Sequence, residues 1–153
     1  MSERDGSAPR IVAGVDGSPS SLAALRWAAR QAGLTGGTVE AVIAWQYPAA
    51  VTGYGWVPIA VVESVDYGEI AQKVVAEAIS NVDTAGGDVR ISARVQQGCA
   101  AQVLIDAAAG ADLLVVGSRG HGGFSGALLG SVSMHCVHHA PCPAVVVRDE
   151  PVR

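Results

Sequence analysis

The residues best placed to do chemistry lie late in the chain. There Leu113-Leu114-Val115-Val116 runs into Gly117-Ser118-Arg119-Gly120-His121-Gly122-Gly123 and then, at Gly130, into Ser131-Val132-Ser133. Six glycines fall from Gly117 to Gly130. Glycines let backbone N–H groups close on an oxyanion, and a helix N-terminus adds unpaired N–H groups and a partial positive charge. The chemistry implied is anion holding, with phosphate the natural anion. The spacing, G-x2-G-x9-G-S, is neither the Walker A pattern nor G-x-G-x-x-G. The only lysine is Lys73, remote in sequence. Backbone amides, the Ser131 and Ser133 hydroxyls and Arg119 would therefore hold the anion. The competing reading is a glycine-rich surface loop matched by accident, against which the strand before it and the helix start after it both weigh.

A second candidate is Asp16, in Asp16-Gly17-Ser18-Pro19 after the apolar run Ile11–Val15. It falls at the carboxyl end of a strand beside a helix start, where open α/β sheets bind ligands. The alternative is an aspartate that only closes the turn. His135, Cys136, His138, His139 and Cys142 crowd together with ligand-like spacing, but histidines ending a helix are also explained by its dipole. Cys99, at a helix start, is read as a small buried residue rather than a reactive thiol. No paired carboxylates and no Ser-His-Asp set emerge, so weak or negligible hydrolysis is the expectation.

The elements that must position these residues alternate. Arg10–Val15 reads as a strand. A helix capped by Ser18 follows, with Leu22, Leu25, Ala28 and Ala29 at helical spacing, stopping near Gly33. Thr38–Trp45 is a second, central strand. Gln46 to about Pro58, with three aromatics and two prolines, is a long loop of the kind that serves as a lid or a variable crossover. Ile59 to about Ala85 reads as one long helix, kinked or frayed at Asp66-Tyr67-Gly68. Asp88–Gln97 alternates as an edge strand, Cys99–Ala109 is a short helix, and Leu113–Val116 leads to the glycine run. Ser131–His139 is a helix and Ala144–Val147 a last strand. Strands alternating with helices mean a parallel sheet covered on both faces.

Length and composition bound the rest. The chain has 153 residues, half of them hydrophobic and 16% charged, with net charge −4. That is one domain, read as residues 10–149 after a disordered tail at 1–9. The tail lacks the apolar segment of a signal peptide, and no apolar run is long enough to span a membrane. A cytoplasmic protein is the expectation. No basic block points to nucleic acid. Three cysteines at irregular spacing do not make a disulfide framework.

Val12-Ala13-Gly14-Val15-Asp16-Gly17-Ser18, Asp112–Gly120, Gly130-Ser131-Val132-Ser133 and His139-Ala140-Pro141-Cys142-Pro143 together resemble the universal stress protein family, in its single-domain, ATP-binding branch. The resemblance spans about Pro9 to Arg148. It implies a Rossmann-like, adenine-nucleotide-α-hydrolase-like α/β fold: a five-stranded parallel sheet in the order 3-2-1-4-5. Asp16 and the glycine run would then face each other. It also implies an ATP site: Gly14, Asp16 and Ser18 in the first turn, with Asp16 by the ribose or a water-bridged Mg²⁺, and Ala44 by adenine. Gly117, Ser118, Arg119, Gly120, His121, Gly122, Gly123, Gly130, Ser131, Val132 and Ser133 would hold the phosphates. A homodimer through Ala144–Val147 is implied too, and the last strand is apolar enough to need such cover. The function expected is nucleotide-dependent stress sensing, the nucleotide biasing the Gln46–Pro58 loop, the cradle or the dimer and so the binding of a downstream protein partner. A slow ATPase and a cyclic-AMP-binding regulator are the alternatives.

Overall fold

The computed structural model describes residues 7–47, 64–82, 87–119 and 129–148. The described elements, in chain order, are β1 (Arg10–Gly14), α1 (Pro19–Thr35), β2 (Thr38–Trp45), α2 (Tyr67–Ser80), β3 (Ile91–Gln97), α3 (Ala100–Ala107), β4 (Leu113–Gly117), α4 (Ser131–His139) and β5 (Ala144–Val147). The five strands form one sheet in the order β3-β2-β1-β4-β5, and every pairing is parallel. This is the expected α/β fold.

The sheet is central because its strands are apolar on both faces. Odd positions of β1 and β2 (Ile11, Ala13, Val39, Ala41, Ile43) pack with Ala24, Leu25, Ala28 and Ala32 of α1 and with Ala71, Val75 and Ala78 of α2. Even positions (Val12, Val42) pack with Val103, Leu104 and Ala107 of α3 and with Cys136 of α4. The alanines on α1 bring it close to the sheet, and that closeness shapes the site.

Two helices differ from the sequence reading. α1 runs past Gly33 to Thr35, and Gly36 ends it in the left-handed conformation at φ 71°, its N–H on Ala32 O. Gly33 is tolerated within the helix, since the terminator is the glycine that adopts positive φ. At α2, Asp66-Tyr67-Gly68 is not the middle of a helix but its start. Asp66 is the N-cap, and its Oδ1 accepts from Glu69 N at 2.9 Å. Residues 48–63 and 83–86 lie outside the described residues, and with them most of the Gln46–Pro58 loop and both outer parts of the expected long helix. β3 begins at Ile91 rather than Asp88, although Arg90 O already accepts from Val39 N at 2.9 Å. At the start of the chain Pro9 O accepts from Thr38 N at 2.8 Å, extending the β1–β2 ladder by one bond.

Candidate functional site

The strand order reverses between β1 and β4. Ile11, Val12 and Ala13 pair with Leu113, Leu114 and Val115, and the chain leaves β1 toward β2 but leaves β4 toward β5. The crevice at the carboxyl ends of these two strands is the topological switch point, where such sheets bind ligands.

On one side stands the turn from β1 into α1. Asp16 Oδ1 accepts from Ser18 N at 2.9 Å, and Gly17 takes φ 83° to complete the turn. Ser18 caps α1 by accepting from Ser21 N at 3.2 Å. The Ser21 hydroxyl donates to Ser18 O at 3.0 Å and accepts from Asp16 N at 3.2 Å. This N-terminus is closed by its own residues. Asp16 is exposed and Ser18 buried.

On the other side stands α4. Its N-cap is Gly130, in extended geometry (φ −68°, ψ 161°) with no side chain to cap the first turn. Gly130 N donates to Ser118 O at 2.7 Å, which fixes the helix start against the end of β4. Ser131 is exposed, Val132 half-buried and Ser133 buried. The Ser133 hydroxyl donates to Gly117 O, so its proton is committed within the protein. What Ser133 offers an anion is its N–H, beside those of Ser131 and Val132. The two facing helix starts thus differ: one carries its own cap, the other has none.

Between them lies Ser20, which the sequence reading did not single out. It is 2% exposed. Its Oγ accepts from Arg119 N at 3.3 Å and sits 3.5 Å from Ser118 Oγ. The closeness of α1 to β4 has a cost in space: a Cβ on Gly117 would lie 2.5 Å from Ser20 Oγ and 2.7 Å from Ser20 C. Gly117 is therefore required by helix–strand packing. At Gly14 an added Cβ would meet only side-chain atoms, the nearest being Leu104 Cδ1 of α3 at 2.9 Å. A signal for Ser20 existed in the small polar run Ser18-Pro19-Ser20-Ser21, but only the fold shows that it opposes Gly117.

Of the expected site residues, Gly14, Asp16 and Ser18 cluster at the end of β1, and Gly117, Ser118, Arg119, Gly130, Ser131, Val132 and Ser133 at the end of β4 and the start of α4. Ala44 lies on β2 beside Gln96 of β3, two positions beyond Val42, the partner of Gly14. Gly120, His121, Gly122 and Gly123 lie outside the described residues. The crowded cysteines are drawn apart from the histidines: Cys136 is buried in the core under α4, while His135 and His139 stay together on its exposed face. No group of three His, Cys, Asp or Glu that could hold a metal ion occurs among the described residues. Cys99, expected to be buried, is exposed. A shallow groove of about 280 Å³ at the β3 edge, between Arg94, Gln96 and α3, is lined mainly by polar surface residues. No described helix is long and apolar enough to cross a membrane.

The comparisons fit this architecture. The chain is 38% identical over 148 residues to a universal stress protein of Mycolicibacterium smegmatis, across 92% of this chain and 48% of that protein. The chain spans about half the length of the curated relatives it matches. It is similar in structure to UspA of Lactobacillus plantarum, at TM-score 0.73 and 20% identity, over 94% of this chain and all of that one. It is also similar to a universal stress protein solved in complex with cAMP, at TM-score 0.59 and 27% identity, over 94% of this chain and 98% of that one. The model of the universal stress protein family matches residues 8–148. With its sheet order, its switch-point crevice and this match from β1 through β5, the chain belongs to the universal stress protein family.

Proposed function

We propose that this chain binds an adenine nucleotide, ATP in the first instance, in the crevice between β1 and β4, and uses it as a regulatory signal with little or no turnover. One observation carries the reading. The N-terminus of α4 opens on the switch point without a side-chain cap, where a helix start is a ready anion site. The N–H groups of Ser131, Val132 and Ser133 would hold phosphate, with Ser118 and Arg119 beside them. Gly14, Ser18 and Ala44 would flank the nucleoside. Asp16 would hold a Mg²⁺ through water, the ion offsetting phosphate charge. The protein is proposed to act in the cytoplasm as a homodimer paired through β5, the nucleotide altering its binding to a downstream protein.

The test is Gly130→Asp. Extended geometry at this position suits any residue, and aspartate is a favoured N-cap. The variant would cap α4 with its own carboxylate, taking the N–H groups and repelling phosphate. ATP affinity by calorimetry should fall by more than about tenfold, equivalent to about 1.4 kcal/mol, while Tm holds or rises. Unchanged affinity would overturn the cradle. So would a wild-type protein that releases no nucleotide on denaturation and binds neither ATP nor cAMP. A second reading, a cAMP-binding regulator, is favoured by the cAMP-bound neighbour. Displacement of ATP by cAMP at lower concentration would select it.

A further inference from the structure

We propose that His135 and His139 on α4 form a binding site for a divalent transition-metal ion such as Zn²⁺, Cu²⁺ or Ni²⁺. The two are one helical turn apart, at i and i+4, where side chains share a face. Their ring centroids lie 4.6 Å apart with the planes tilted by 43°. Both residues are exposed, so neither ring is held by packing and both are open to an incoming ion. His138 lies on the neighbouring side of the same turn, its ring 6.3 Å from that of His139.

The ion class follows from the ligands. Imidazole suits Zn²⁺, Cu²⁺ and Ni²⁺, whereas Mg²⁺ and Ca²⁺ take oxygen ligands. The adjacent thiol does not join: Cys136 is packed in the core at 0% exposure, whereas the two histidines are exposed. Two histidines leave coordination positions for water. The electrostatics favour a cation: the pair lies in the last turns of the helix, at the negative end of its dipole, and the chain carries net charge −4. No lysine or arginine occurs between Arg119 and Arg148.

A chelate across one turn also ties down the end of a helix of nine residues. Binding to the folded state alone then raises Tm.

The experiment titrates untagged, full-length protein with ZnCl2 and NiCl2, read by calorimetry and by thermal melting, with MgCl2 as control. One ion per chain is expected to bind and to raise Tm. His135→Gln and His139→Gln should each weaken binding by at least about tenfold, the scale at which even outer-shell partners of a metal act, and should abolish the Tm rise. His138→Gln should keep both. The assignment is overturned if the wild type does not bind, if either outer variant binds as the wild type does, or if His138→Gln alone loses the ion. An equal response to MgCl2 would also overturn it.

Discussion

At the level of single residues, glycines at a phosphate-type crevice invite one explanation and here have another. Gly117 lies in the expected cradle, yet the atoms that exclude a side chain from it belong to Ser20, at 2.5–2.8 Å. Two of these are backbone atoms in the first turn of a packed helix, which cannot move alone. Gly117→Ala should therefore destabilise the fold by about 1–3 kcal/mol, the usual cost of overpacking. At Gly14 the nearest atoms are the tip of the Leu104 side chain, at 2.9 and 3.3 Å, which can turn aside. Gly14→Ala should cost less than about 1.5 kcal/mol. Urea denaturation of both variants checks the order, and equal costs would refute the account. The corollary concerns the crevice: loss of nucleotide in Gly117→Ala would report a displaced α1 as readily as a lost contact. Gly130, with extended backbone and no side-chain cap, is the cleaner probe.

At the level of elements, unbroken apolar runs were the most legible. β2 and β5 read correctly as nearly continuous apolar runs, and α4 because the glycine run gives way at Ser131 to serine, a residue that starts helices. α2 misled because Val62, Val65 and Ile70 continue a helical period across Asp66, whereas the residue that decides the boundary is polar. Asp66-Tyr67-Gly68-Glu69 carries the N-cap spacing of acid, two residues, glutamate, and Asp66 Oδ1 does accept from Glu69 N. A periodicity count weighs apolar positions and passes over a cap. In the site, Gly117, Gly130 and Ser131 were legible as glycine and serine at a strand–helix junction. The roles of Ser20 and of the committed Ser133 hydroxyl were not, since both depend on contacts across 98 and 16 residues of sequence. Because α2 packs on the far side of the sheet from α4, its cap should matter to stability alone. Asp66→Ala is expected to cost about 1 kcal/mol in denaturant midpoint and to leave nucleotide affinity unchanged. A matching loss of affinity would contradict the separation of the two layers.

At the level of the whole molecule, the two edges of the sheet are built differently. β3, at one edge, carries Arg94, Gln96 and Gln97, and Arg94 reaches Glu40 of β2 at 3.6 Å. A charged, polar edge resists pairing. β5, at the other, is Ala144-Val145-Val146-Val147, all half-buried. Its register decides which groups face outward. Leu114 N donates to Pro143 O and Ser118 N to Val147 O, so in a parallel ladder Val145 and Val147 direct their N–H and C=O at β4. Ala144 and Val146 direct theirs away from it. An edge of apolar residues with outward N–H and C=O groups is a template for a second strand. This is the physical basis for proposing that two chains pair through β5. Val146→Pro removes an outward donor and none from the β4 ladder, the placement at which proline is tolerated on an edge. Light scattering should find wild-type particles of twice the 15.5 kDa chain mass and Val146→Pro at the chain mass, with the far-UV spectrum retained. A folded Val146→Pro that stays at the dimer mass would place the contact elsewhere, and a monomeric wild type would remove the homodimer from the proposal.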